Sequence, residues 1–271
     1  MGLSVVFVSG PRCSGKSAVI RAMIDRLWKT QPHYIRLVKS GSDKLPPKMT
    51  CKRLPECGVA SAHWLEYDEE HIFEILPEAL TAIHRRDRYG SVVIEADGDP
   101  TLRHAYTYDH RIFVMPMPRM VNEVFRDPAH AAEELQHALD DTASFASEIF
   151  GLFAHNGQED VDPPEQRPDL TAKQMRGFLY SPLGDELATR IQLQPPYHGL
   201  VESDVIVVNT GAGARGLKTD ECLHRVDRLL DRIHGVSSRR SELFLCDPRD
   251  QNGKACKKLL KALQRMCLGG K

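Results

Sequence analysis

Residues 4–17 read Ser-Val-Val-Phe-Val-Ser-Gly-Pro-Arg-Cys-Ser-Gly-Lys-Ser, and this stretch decides the fold. Val5, Val6, Phe7 and Val8 form a short apolar run rich in β-branched residues, which reads as a buried parallel strand. The run breaks at Ser9-Gly10. From there Gly10, Gly15, Lys16 and Ser17 fill every fixed position of the phosphate-binding pattern G-x-x-x-x-G-K-[ST]. Residues 18–28 then carry apolar side chains at 19, 20, 23, 24, 27 and 28, the spacing of an amphipathic helix.

The residue types follow from the chemistry. Glycines let backbone N–H groups wrap a phosphate, and the start of the helix adds partial positive charge. Gly10, Pro11, Arg12, Cys13, Ser14, Gly15, Lys16, Ser17 and Ala18 are therefore the candidate phosphate-contacting residues. Lys16 is expected to reach the β- and γ-phosphates, and the Ser17 hydroxyl to ligate Mg²⁺. A chain of this composition matches the loop pattern by accident on the order of once in a hundred cases. The strand before it and the helix after it make accident rarer still. The chain is expected to bind a nucleoside triphosphate, ATP or GTP, with Mg²⁺.

The 271 residues suffice for one large α/β domain, or for a domain carrying an insertion. A net charge of −1 gives no general attraction to nucleic acid or to acidic membranes, so neither is an expected partner. Seven cysteines, at 13, 51, 57, 222, 246, 256 and 267, form an odd and scattered set. That pattern argues against a disulfide framework and for a reducing, cytoplasmic setting. No secretory leader is expected, because the first strand begins almost at Met1, and no apolar run approaches membrane-spanning length.

A second informative stretch is Ser91-Val-Val-Ile-Glu-Ala-Asp-Gly-Asp99, an apolar strand ending in carboxylates. Beside a phosphate loop, such a carboxylate holds the Mg²⁺ shell or orients the attacking water. Glu95 and Asp97 lie on the same side of a strand, so either or both are candidate metal and catalytic residues with Lys16. The third stretch is residues 203–209, Ser-Asp-Val-Ile-Val-Val-Asn, another buried strand. It delivers Asn209 to the carboxyl end of the sheet, where ligands of open α/β folds bind.

Between these lie further predicted elements. Strands are expected at 34–38, 111–115 and 243–246, and helices at 69–86, 219–234 and 254–266. Residues 40–58, with Pro46-Pro47 and Pro55, read as a loop. Asp127-Pro128 is a helix start signal. Residues 156–169 are polar and proline-rich, with short helices predicted at 171–179 and 182–191. Residues 119–200 together read as a mostly helical insertion within a single domain spanning 1–271, suited to a lid or a partner surface.

These pieces resemble the dimeric-type P-loop GTPases and ATPases, and most nearly the nickel-insertion GTPases of urease and hydrogenase maturation. Residues 10–17 match their phosphate loop, and residues 94–99 look like their acidic strand end. Residues 203–209 look like their base-recognition strand, and Asp247-Pro248 falls where such proteins place a loop against the base. The resemblance implies a three-layer α/β fold, a mostly parallel sheet with helices on both faces. It also implies NTP hydrolysis as a switch or maturation factor, with a protein client and a homodimer that sandwiches nucleotide. Asn209 would read the base. In those GTPases the Asn is followed by Lys and then, two residues on, by Asp. Here Thr210, Gly211 and Ala212 follow Asn209, so no carboxylate stands at the guanine-selecting position.

Cys51, Cys57 and His63 lie roughly where the metallochaperones carry nickel ligands, and thiolates with imidazole suit Zn or Ni. Their six-residue spacings differ from the tight Cys-x-x-Cys signature, and two free thiols beside a surface histidine is the competing reading. Residues 7–17 and 112–118 also look like stretches of guanylate-kinase-like enzymes, which implies phosphoryl transfer to a nucleotide or small-molecule acceptor. A third reading is a nucleotide-binding module with little hydrolysis. Turnover without acceptor, turnover only with acceptor, and binding alone separate the three.

Overall fold

The computed structural model describes residues 3–27, 30–40, 59–68, 70–97, 102, 105–117, 124–127, 129–131, 133, 137, 192–201, 203–211, 224, 228–229, 231 and 241–267. Its elements are β1 (Ser4–Ser9), α1 (Lys16–Leu27), β2 (His33–Lys39), β3 (Ser61–Tyr67), α2 (Ile72–Arg86), β4 (Ser91–Glu95), β5 (His110–Pro116), a 3-10 helix (Pro195–Leu200), β6 (Val205–Asn209), β7 (Glu242–Cys246) and α3 (Lys254–Cys267). All seven strands join one parallel sheet in the order β3-β2-β4-β1-β5-β6-β7.

Alternating side chains of β1 feed opposite layers, because successive residues of a strand face opposite ways. Val6 and Val8 pack with Val19, Ile20, Met23 and Ile24 of α1 and with Leu259, Leu260 and Leu263 of α3. Val5 and Phe7 face the other side, against Leu76, Leu80 and Ile83 of α2. The sheet is thus sandwiched between helices, the three-layer α/β arrangement expected from the sequence. Every residue of β4 and β6 is buried, which explains why both read as unbroken apolar runs.

The chain starts at the centre, moves outward to β2 and β3, and returns through β4 into the gap beside β1. It then builds the other half through β5, β6 and β7. The switch of direction at β1 opens a crevice at the carboxyl ends of β1 and its neighbours, which is where the phosphate loop emerges.

One strand escaped the sequence reading. β3, Ser-Ala-His-Trp-Leu-Glu-Tyr, lies at the edge and pairs only with β2, in register from His33↔Ser61 to Lys39↔Tyr67. Six of its seven residues are partly or fully exposed, so no apolar run marks it. α2 begins three residues later than predicted. The Asp68 carboxylate accepts from the N–H groups of Glu70 and His71 at 3.1 and 2.8 Å, holding residues 68–71 in a turn ahead of the helix.

Most of residues 119–200 and 212–240 lie outside the described residues, as do Cys51, Cys57, Gly98 and Asp99. The two ends of the predicted insertion are described. Phe125 and Leu193 form an antiparallel bridge, with Arg126 N–H donating to Gln192 O and Gln194 N–H to Val124 O, both at 2.8 Å. The described residues on either side of that stretch thus meet beside a cluster that includes Phe113, Met115, Ile206 and Val208. Among the described residues no helix is long and apolar enough to cross a membrane.

Candidate functional site

The loop after β1 has a backbone that only certain residues tolerate. Gly10 has φ +147°, and a Cβ there would lie 2.0 Å from the Val114 carbonyl oxygen of β5. Gly15 has φ +99°, and a Cβ there would lie 2.1 Å from Asn209 Nδ2. Cys13 is left-handed at φ 59°, a strained position for a non-glycine residue. The Gly15 carbonyl accepts from Ala18 and Val19 N–H at 3.0 and 3.1 Å and so opens α1. Among the described residues, the N–H groups of Arg12, Cys13, Gly15, Lys16 and Ser17 donate to no backbone carbonyl. A curled run of available amides at a helix start is an anion cradle.

Lys16 is 5% exposed, yet its ammonium is fully matched. Nζ donates to Gly10 O at 2.9 Å and Pro11 O at 2.8 Å, and pairs with Asp97 Oδ1 at 3.1 Å. That uses all three N–H groups. Burial pulls its pKa below the usual lysine value, opposed by the carboxylates of Asp97 and Glu95, while Arg36 adds to the lowering.

Glu95 and Asp97 both reach the loop, with different partners. Glu95, 2% exposed, accepts from Ser17 Oγ at 2.8 Å on Oε1, from the Tyr34 hydroxyl on Oε2, and pairs with Arg36 Nη1. Asp97 is nearly half exposed and faces Lys16, with Arg36 Nη2 at 3.5 Å. The parallel register places Val8 beside Glu95 and Arg36 beside Glu95, which brings all three strands' contributions to one end of the sheet. Ser17 is exposed and its hydroxyl lies 2.8 Å from the buried Glu95 Oε1, which sets two hard oxygen donors side by side. Mg²⁺ takes one or two protein oxygens and completes its shell with phosphate and water, so these residues fit that ion.

Asn209 ends β6 and is 4% exposed. Its Nδ2 donates to Ser14 O at 3.0 Å, and its Oδ1 accepts from Gly211 N–H at 2.9 Å. One end of the amide thus braces the phosphate loop and the other shapes its own loop. Nδ2 carries a second N–H. Across from it, Asp247 holds Arg249 through Nε and Nη2, both at 3.0 Å, and Arg249 Nη2 donates to Gly211 O at 3.1 Å. The Arg249 hydrogen bonds hold the Asp247 carboxyl below its ordinary pKa. Pro248, between them in sequence, is buried. The loops after β6 and β7 are therefore tied together beside the phosphate cradle.

His63 stands in β3, with Nε2 2.8 Å from Ser61 Oγ, and burial lowers its pKa, aided by His33 and Arg86. Its proposed partners Cys51 and Cys57 lie outside the described residues. Among the described residues, no group of three or more His, Cys, Asp or Glu is arranged to hold a metal ion.

Two site residues went unnoticed in the sequence, Tyr34 and Arg36. Both belong to β2, whose centre is otherwise apolar. An arginine in such a strand is a usable signal, because a guanidinium among buried residues requires a carboxylate.

No protein-family model matches the sequence, and no curated protein matches it. Among solved structures, the hydrogenase maturation factor HypB from Archaeoglobus fulgidus matches with a TM-score of 0.51 at 13% identity, covering 98% of this chain and 91% of that one. HypB from Helicobacter pylori, solved in complex with nickel, gives 0.49 at 11% identity, covering 98% and 87%. The chain has the three-layer α/β P-loop NTPase fold of the hydrogenase maturation factor HypB.

Proposed function

We propose that this protein binds a Mg²⁺–nucleoside triphosphate at residues 10–18 and hydrolyses it. The observation that carries the reading is convergence. The amides of residues 12, 13 and 15–17, the Lys16 ammonium, the Ser17 hydroxyl and the carboxylates of Glu95 and Asp97 meet at the end of β1. Phosphoryl transfer to water needs little covalent help from protein groups, and is accelerated by positioning and charge neutralisation. The loop amides would orient the phosphate chain, and Lys16 would turn from Asp97 and its carbonyl partners to phosphate oxygens. Ser17 and Glu95 would hold Mg²⁺, which supplies charge neutralisation at the phosphates. Asp97, open to solvent, would orient the attacking water once Lys16 turns to the phosphates.

Asn209 and the Asp247–Arg249 pair would border the base, ATP or GTP. With Thr210, Gly211 and Ala212 after Asn209, strong guanine selection is not expected. A role as a switch or maturation factor follows from the resemblance to nickel-insertion GTPases. In that role residues 119–200 would present a surface to a protein client and the chain would work as a homodimer. The bridge between Phe125 and Leu193 supports an insertion by closing its base.

Phosphate release with Mg²⁺ and ATP or GTP tests the reading, with Lys16→Ala as the blank. Turnover that Lys16→Ala lacks, in a protein that keeps its circular dichroism, is the expected outcome. Equal turnover in a folded Lys16→Ala protein overturns the site. Turnover that appears only with a nucleotide or small-molecule acceptor makes the protein a kinase. Binding with no turnover under any condition makes it a nucleotide-binding module.

A further inference from the structure

β2 lies beside β4 with Arg36 directly opposite Glu95. The guanidinium contacts Glu95 through Nη1 and comes within 3.5 Å of Asp97 Oδ1 through Nη2. The oxygen it contacts is Oε1, the same oxygen that accepts from Ser17 Oγ at 2.8 Å. So the carboxylate oxygen that Ser17 marks for a divalent cation already carries a positive group. The inner charges are balanced, with Lys16 and Arg36 against Glu95 and Asp97.

A divalent cation brought to Glu95 would stand a few ångströms from the guanidinium, in a site where water screens poorly. One partner has to yield. Glu95 is held on every side: it is 2% exposed, and Tyr34 and Ser17 both donate to it. Arg36 is less confined, one-fifth exposed on a long stem, and its fork already reaches toward Asp97. Asp97 in turn loses Lys16 when that ammonium turns to phosphate.

We propose that Arg36 is a positioning residue that holds the divalent cation's place on Glu95 and passes to Asp97 when Mg²⁺–nucleotide binds. This rests on the Mg²⁺–nucleotide reading of the site. It has two consequences. The Glu95 carboxylate stays aimed at Ser17 before the metal arrives, and metal affinity is set by competition with an internal cation. Arg36 also becomes a second partner for Asp97 at the moment its first partner leaves.

The test is Mn²⁺ binding, followed by electron paramagnetic resonance, to protein saturated with ADP. It compares wild type, Arg36→Gln, Arg36→Lys and the site control Ser17→Ala. Removing the competing charge should tighten Mn²⁺ by about tenfold, the repulsion of one charge after screening at a partly exposed site. Arg36→Lys keeps the charge but cannot bridge two carboxylates, and should fall between. A merely structural arginine would give weaker binding on removal, so the sign separates the two roles. Unchanged or weaker Mn²⁺ in Arg36→Gln and Arg36→Lys overturns the inference alone. If Mn²⁺ binding by wild type is absent, or is untouched by Ser17→Ala, the proposed site falls and the inference with it. Should Arg36→Gln fail to fold, the Arg36→Lys measurement and a crystal structure of wild type with Mg²⁺ and nucleotide decide. A guanidinium still on Glu95 beside bound Mg²⁺ overturns the exchange, and one on Asp97 supports it.

Discussion

Replacing Asn209 by alanine separates bracing from base reading. The amide makes two hydrogen bonds, to Ser14 O at 3.0 Å and from Gly211 N–H at 2.9 Å, at a residue only 4% exposed. A bond whose partner regains water is worth about 1 kcal/mol net, whereas one that leaves a buried partner unmatched costs about 1–3 kcal/mol. Gly211 is half-buried, so its N–H recovers water, while Ser14 is fully buried and its carbonyl does not. The expected loss is therefore about 2–4 kcal/mol, read as a shift in the guanidinium midpoint of the nucleotide-free protein at constant slope. The second readout is affinity for ATP, GTP and inorganic tripolyphosphate. If Asn209 acts through the phosphate loop, all three weaken by a similar factor. Asn209→Asp should be worse than alanine, since it sets a carboxylate oxygen against the Ser14 carbonyl. An unchanged midpoint would refute the bracing argument, and so would a loss confined to the two nucleotides with tripolyphosphate unaffected.

Gly15→Ala places a methyl group 2.1 Å from Asn209 Nδ2 at φ +99°, and should cost several kcal/mol, of which backbone strain supplies about 1–3. In an Asn209→Ala background the nearest clash disappears, because the Asn209 Cβ is 3.8 Å away, so the two changes should be clearly non-additive in denaturation. Additive effects would contradict the contact. Burial pushes the thiols of Cys246 and Cys267 up to about 12 from 9.0. The folded protein then keeps protons that the unfolded chain releases. Stability is intact below about pH 9 and falls between pH 9 and 12, by up to ~1.4 kcal/mol per unit for each thiol. Cys267→Ala should flatten the pH dependence of the urea midpoint above pH 9, and an identical slope would refute the assignment. Cys13 is exposed in the phosphate loop, whereas Cys246, Cys256 and Cys267 are buried. Iodoacetamide at pH 8, read by site-resolved mass spectrometry, should modify Cys13 about 100-fold or more faster than Cys267, with Mg²⁺–ATP protecting it. Comparable rates at both positions would show that the loop is not open as described.

Sequence alone determined the elements whose signal is local. Val5 to Val8, the glycines at 10 and 15, and Lys16-Ser17 name a strand, a loop and a helix start, because glycine permits positive φ and β-branched runs favour buried strands. The same holds for the apolar strands carrying Glu95 and Asn209, both of which lie at the carboxyl end of the sheet. What local signal could not supply is pairing. β3 was invisible because an edge strand keeps a mixed, half-exposed composition, and its identity comes from its partner β2. The distinct duties of Glu95 and Asp97 were equally hidden. Both fall on one side of a strand, and only the packing of β2 against β4 puts Tyr34 and Arg36 on the first and leaves Lys16 to the second. Asn209 bonds to Ser14, 195 positions away along the chain, a contact that exists only once β1 and β6 flank β5. Residue types and short-range periodicity announce a candidate phosphate site. Which side chains compete, brace and neutralise one another there depends on distances between strands remote in sequence, and the tertiary structure alone decides those.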